Sequence, residues 1–154
     1  MLLDPWGREF IYLNNDSGNH SVRYLIVSAG PKGTVKAAEA EARARLEAQN
    51  MEDDAKTGIR NLESAVDRLE MDCGKLPDSL RALIISSEKA WEGPYIRKEE
   101  LLKDPWGHEY IYAKQEKDGK IINYSLYSAG PDGVAGTADD VHAKSRDDDK
   151  ETER

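Results

Sequence analysis

Residues 101–113 read LLKDPWGHEYIYA, and residues 1–13 read MLLDPWGREFIYL. Residues 122–133, INYSLYSAGPDG, answer residues 22–33, VRYLIVSAGPKG, at the same offset of 100. Two gapless matches at one offset mark a duplicated supersecondary unit. Asp-Pro-Trp-Gly suits a type I turn, with Asp at the first position, Pro presetting φ at the second and Gly at the fourth. Trp106 is expected to fold back as a lid over a small core, and Trp6 and Trp91 likewise. The runs around Glu109–Tyr112 and Ile121–Tyr127 alternate and are rich in aromatic and β-branched residues, so they read as strands. Lys117-Asp118-Gly119-Lys120 is a hairpin turn signal, and Asn14–Asn19 plays the same part in the first copy.

A helical pattern covers roughly 35–72, rich in Ala, Glu, Arg and Leu. Ile59, Leu62, Val66 and Leu69 recur at spacings of three and four, which makes an apolar stripe on one face. The earlier half has a thinner stripe of Val35, Ala38, Ala42 and Leu46. Gly58 costs a helix about 1 kcal/mol relative to Ala, and Met51–Asp54 could begin a new helix. The pattern therefore predicts either one long helix or two broken near 50–54, ending at Gly74 and Pro77. Asp78 or Ser79 is then expected to cap a short helix over Leu80–Ile85, with Leu80, Leu83 and Ile84 inward. Residues 86–100 read as a connection. The segments are a hairpin unit at 1–34, a charged helical linker at 35–54, a domain at 55–141 and a tail at 142–154 expected to be disordered.

The chain has 154 residues, 34% of them charged, and a net charge of −8. That balance disfavours nucleic acid and anionic lipid as partners, while carboxylates attract divalent cations. No run of eighteen apolar residues exists, so no membrane contact is expected from the chain as given, and its start does not read as a signal peptide. Cys73 is the single cysteine and reads as a small apolar residue. His20, His108 and His142 are scattered, with His108 expected to be exposed after its turn. No Ser or Cys has a recognisable catalytic partner and no phosphate-binding loop is present, so an enzyme is not expected.

The most distinctive chemistry lies in Ser128–Val141, SAGPDGVAGTADDV. Calcium takes six to eight oxygen ligands from carboxylates, carbonyls and water. Gly130, Gly133 and Gly136 let the backbone curl, and Asp132, Asp139 and Asp140 bring three negative charges into one loop. On the residues alone this is either a cation site or a solvated acidic turn. Its spacing is not that of an EF-hand. The first copy carries Lys32 at the place of Asp132 and no acidic pair, so no cation is expected there.

The order of helix, Gly74-Lys75-Leu76-Pro77, short Leu-rich helix, Asp-Pro-Trp-Gly, hairpin, Gly-Pro-Asp-Gly and acidic loop resembles the periplasmic domain of the major pseudopilin of type II secretion systems. The resemblance covers about 55–141. It implies a pilin-like α+β fold in which a long amphipathic helix packs on a small antiparallel sheet, here with an additional copy of the hairpin unit at the N-terminus. It implies a structural subunit of a periplasmic or cell-envelope filament, with other pseudopilin subunits or further copies of itself as partners. Calcium is the implied cofactor, with carboxylates from Asp132, Asp139 and Asp140 and main-chain carbonyls from Ala129 and Val141. The family's apolar N-terminal helix has no counterpart here; residues 1–54 stand in its place. A tandem-domain protein, a fragment or an engineered chain would each account for that, and a soluble binding or adhesion module built on the pilin fold is the alternative function.

Overall fold

Helix α1, Val35–Cys73, is continuous over 39 residues in the computed structural model, which describes residues 2–15, 23–117 and 120–143. Thr34 begins it: its hydroxyl accepts the Ala37 N–H at 3.2 Å, satisfying a donor that the first turn leaves open. Three pairs with Glu four residues ahead of a base support its exposed side, Glu39–Arg43, Glu41–Arg45 and Glu52–Lys56. Gly74 ends it at φ +69°, with its N–H on Glu70 O at 2.7 Å. Of the two sequence readings, the unbroken helix is the one adopted; no break occurs at 50–54.

Two compact units divide at residues 50 and 51. In the first, β1 (Ile11–Asn15) pairs antiparallel with β2 (Arg23–Val27), with Leu13 opposite Leu25. Its core is small: buried Leu13, Ala42 and Leu46, with Ile11, Leu25 and Val27 packed against them. In the second, β3 (Ile111–Lys117), β4 (Lys120–Ser128) and β5 (Val141–His142) form an antiparallel sheet in that order. Ala55, Ile59, Leu62, Val66 and Leu69 form its helical stripe and pack with Leu80, Leu83, Tyr110 and Leu126.

Gly58 sits at the centre of this contact for a steric reason. A Cβ built there would lie 2.1 Å from the Tyr110 hydroxyl oxygen, and that hydroxyl donates to Ala55 O at 3.3 Å inside the helix. The residue that weakens the helix locally is the one that lets the sheet's aromatic ring approach.

Several expectations change. The segment at Leu80 is a single 3-10 turn, Leu80–Leu83, and Ser79 makes no side-chain cap; Asp78 instead pairs with Lys114 at 2.5 Å. Leu80 and Leu83 are buried as expected, and a second 3-10 turn, Glu99–Leu102, closes the connection. Trp91 and Trp106 pack half-buried on the larger core, but Trp6 is 54% exposed and is not among the residues packed on the smaller one. His142, read as part of the tail, is a strand residue whose ring stacks on Tyr127. The expected turns at Asn14–Asn19 and Lys117–Lys120 fall partly, and the disordered tail almost wholly, outside the described residues.

Candidate metal centre

The acidic loop hangs from a buried carboxylate. Asp104 opens its turn with its backbone O accepting the Gly107 N–H at 3.0 Å, the bond a four-residue turn provides. Its side chain points inward and is fully buried. One oxygen accepts the N–H groups of Trp106 and His108 at 3.1 and 2.8 Å, and the other accepts the Ser128 hydroxyl at 2.5 Å. Ser128 Oγ in turn accepts the Gly130 N–H at 3.0 Å. This relay ties the Asp-Pro-Trp-Gly turn to the first residues of the loop. His108 adds a second tie: its Nδ1–H donates to Gly130 O at 3.1 Å, so it is half-buried rather than fully exposed.

The loop then curls back on itself. Gly130, Gly133 and Gly136 all take positive φ. At Gly130 there is no alternative residue, because a Cβ would lie 2.2 Å from Asp139 O. Asp132 Oδ1 accepts the Val134 N–H at 2.8 Å, while the Asp132 N–H donates to Asp139 Oδ2 at 3.3 Å. Asp139 Oδ1 lies 2.6 Å from the Thr137 hydroxyl, and that contact holds the Asp139 carboxyl below the ordinary carboxylate range. Asp140 Oδ2 accepts the Gly136 N–H at 2.8 Å. Its other oxygen, Oδ1, is buried without a hydrogen-bond partner.

Of the five sequence-assigned ligands, Asp132 and Asp139 are brought together directly. Asp140 stands at the loop's closing end, beside Val141. Ala129 and Val141 are buried at its two ends, where Ser128 pairs with Val141 in the sheet. The three carboxylates are not gathered as a cluster: among the described residues, no group of three or more His, Cys, Asp or Glu side chains is placed to hold a metal. They are spread around the loop, each bonded to donors of the loop itself. Any cation seated here must take much of its shell from carbonyls, which suits a hard ion that accepts them.

Sequence reasoning passed over Asp104, Ser128 and His108. The available signal was the recurrence of Asp and Ser at the shared offset, because Asp4 repeats the arrangement. Asp4 accepts the N–H groups of Trp6 and Arg8 at 3.0 and 2.8 Å and the Ser28 hydroxyl at 2.5 Å. Arg8 stands where the second turn has His108, and its guanidinium donates to Gly33 O and Pro31 O at 2.6 and 2.7 Å.

Residues 44–144 match the family described as Type II secretion system (T2SS), protein G. The chain belongs to this family. Its curated members are core proteins of the type II secretion system, structural components and not enzymes. The chain is 37% identical over 84 residues to the type II secretion system core protein G of Xanthomonas campestris pv. campestris, covering 53% of this chain and 56% of that one. With the core protein G of Escherichia coli K12 it shares 34% over 98 residues, covering 56% and 63%. For Vibrio cholerae the figures are 34% over 95 residues, 56% and 64%. The chain thus spans somewhat over half the length of these relatives. The crystal structure of the major pseudopilin of enterohaemorrhagic Escherichia coli aligns with a TM-score of 0.49 and 29% identity, covering 62% of this chain and 83% of that one. Among the described residues, no helix is long and apolar enough to cross a membrane.

Proposed function

We propose that this chain is a structural subunit, or part of one, of a type II secretion pseudopilus in the cell envelope, and that its Ser128–Val141 loop is locked by one calcium ion. The subunit reading rests on the family match over 44–144; the partners it implies are other pseudopilin subunits or further copies of itself. The calcium reading rests on Asp140 Oδ1, a buried carboxylate oxygen with no partner, since such an atom is costly unless a proton, donor or cation meets it. Asp132, Asp139 and Asp140 would supply carboxylate oxygens, and Ala129 and Val141 main-chain carbonyls. A calcium ion held by these residues would supply positive charge to offset the carboxylates. Asp104, Ser128 and His108 position the loop's first residues from behind.

Residues 1–34 are a shortened copy of the same unit, judged by the matched bonding at Asp4 and Asp104. This copy is not a cation site. Lys32 replaces Asp132, and the Arg8 guanidinium already occupies the Pro31 and Gly33 carbonyls.

Thermal melts with calcium and with chelator address the metal. At a calcium concentration of 100 Kd the folded state gains about 2.7 kcal/mol, so Tm rises, and the rise is lost in Asp140→Ala and Asp132→Ala. Titration calorimetry gives one ion per chain. An unchanged Tm, or two equivalent sites, defeats the calcium reading. Association with the other pseudopilins of the same secretion system, assayed by co-purification, tests the subunit role separately; failure to associate with any of them overturns it.

A further inference from the structure

The first loop is clasped by a side chain that the second lacks. Both hairpin units share one frame. An Asp carboxylate accepts two N–H groups of its own turn and a serine hydroxyl, and the serine Oγ accepts a glycine N–H at 3.0 Å, from Gly30 in one unit and Gly130 in the other. They part at the residue after Asp-Pro-Trp-Gly. Arg8 sends one guanidinium nitrogen to Gly33 O at 2.6 Å and the other to Pro31 O at 2.7 Å. Its planar fork carries a permanent charge and donors at a fixed separation, so it bridges two carbonyls as a bound cation would. His108 is shorter, and its Nδ1–H donates instead to Gly130 O at 3.1 Å.

The rest of each loop differs to match. The first turns within Ser28–Gly33: a Cβ at Gly33 would lie 2.0 Å from Ala29 O, and Thr34 begins α1 directly after it. That stretch holds Lys32 and no carboxylate, so nothing in it draws the guanidinium away from the carbonyls. The second runs on through Asp139 and Asp140 before it rejoins the sheet at Val141. Ser128–Val141 holds three aspartates and no Lys or Arg.

We propose that the residue after each Asp-Pro-Trp-Gly turn selects how its loop is closed. Arg8 is a built-in cation that clasps the first loop without metal. His108 supplies no such clasp and, on the calcium reading above, leaves the second loop to an ion from solution. The clasp at Arg8 stands without that reading.

The experiment exchanges the two residues in the full 154-residue chain. His108→Arg gives up one hydrogen bond and brings a guanidinium, with its stronger charge-assisted bonds, among the loop's carboxylates. In chelator its Tm should stand about 2–4 °C above that of the parent chain. Calcium must then enter beside a fixed positive charge, and by calorimetry it should bind at least about tenfold more weakly. Arg8→His should speed amide exchange at Gly30, Lys32, Gly33 and Thr34 by at least about tenfold in chelator. Calcium should not restore that protection, because the first loop has no carboxylate to hold it. Arg8→Lys keeps the charge but not the fork, so its exchange should fall between the two. A His108→Arg chain no more stable in chelator than its parent, or Arg8→His with unchanged exchange, overturns the proposal. His108→Arg adds a contact rather than removing one, so it is decisive even where Arg8→His loosens the whole first unit. A parent chain whose Tm ignores calcium defeats the metal reading alone; the two chelator arms still decide the clasp.

Discussion

Asp104 carries more of this architecture than its place in a turn suggests. Three donors converge on one buried carboxylate: two N–H groups of its own turn and a hydroxyl 24 residues away. Asp104→Ala leaves all three without an acceptor in a buried site, a loss expected to cost about 2–4 kcal/mol. Urea unfolding should find that drop, and Asp104→Asn, which keeps the shape and one acceptor oxygen, should lose less. A cost under about 0.5 kcal/mol, the ordinary range for surface changes, would mean that the turn holds the loop without the carboxylate. The sequence offered the aspartate as a turn-former because its local preference is visible within four residues. Its bond to Ser128 was not legible locally, since nothing near Asp104 says which distant hydroxyl will arrive; only the recurrence of Asp and Ser at the offset of 100 hinted at the pair.

At the scale of the element, α1 trades its own propensity for a contact. Gly58 lowers intrinsic helix stability by about 1 kcal/mol relative to Ala, so a surface argument expects Gly58→Ala to stabilise. The 2.1 Å approach to the Tyr110 oxygen reverses the sign. Gly58→Ala should destabilise by about 1–3 kcal/mol through overpacking, and Tyr110→Phe in the same chain should recover part of that loss. Equilibrium unfolding of the two single variants and the double variant measures the coupling. Additive effects would show that the ring moves aside freely. The acidic loop behaves in the same way. Its glycines and aspartates were readable as a curled, negatively charged segment, whereas the unpartnered Asp140 Oδ1 depends on how the closed loop packs against the sheet.

For the whole molecule, two cores of unequal size imply unequal protection. The first unit buries Leu13, Ala42 and Leu46, while the second buries a continuous set from Ala55 to Val141. Amide exchange should therefore be faster in β1 and β2 than in β3 and β4; equal protection would contradict this. The pH response should fall at both ends. Burial pushes the Tyr110 and Tyr112 phenols up to about 12 and raises Tyr124 as well. Unfolded phenols ionise near pH 10, so from about 10 to 12 the unfolded chain releases protons that the folded chain keeps, and stability falls as pH rises. Below that window the contribution is complete. Melts from pH 8 to 12 should show a decline that is shallower in Tyr124→Phe. At the acid end, hydrogen bonds from Ser28 to Asp4, from Lys114 to Asp78 and from Thr137 to Asp139 lower those carboxyls. Their contribution is present above the ordinary carboxylate value near 3.8 and is lost as pH drops through the lower folded values.

Spacing alone settled the α1 stripe at Ile59, Leu62, Val66 and Leu69, the alternation of the strands and the turn at Asp104, because each of these rules acts within a few residues. The order of those signals was also enough to place the chain in its family. The face each hairpin buries was beyond reach. Tyr12, Tyr24 and Ile26 carry the same pattern as Tyr112, Tyr124 and Leu126, and a period of two is equally satisfied by either side of a sheet. What chose between them was the element packed against each hairpin, Ala42 and Leu46 for one and the Ile59–Leu69 stripe for the other. Burial is a property of the partner surface, and that surface exists only once distant parts of the chain have met.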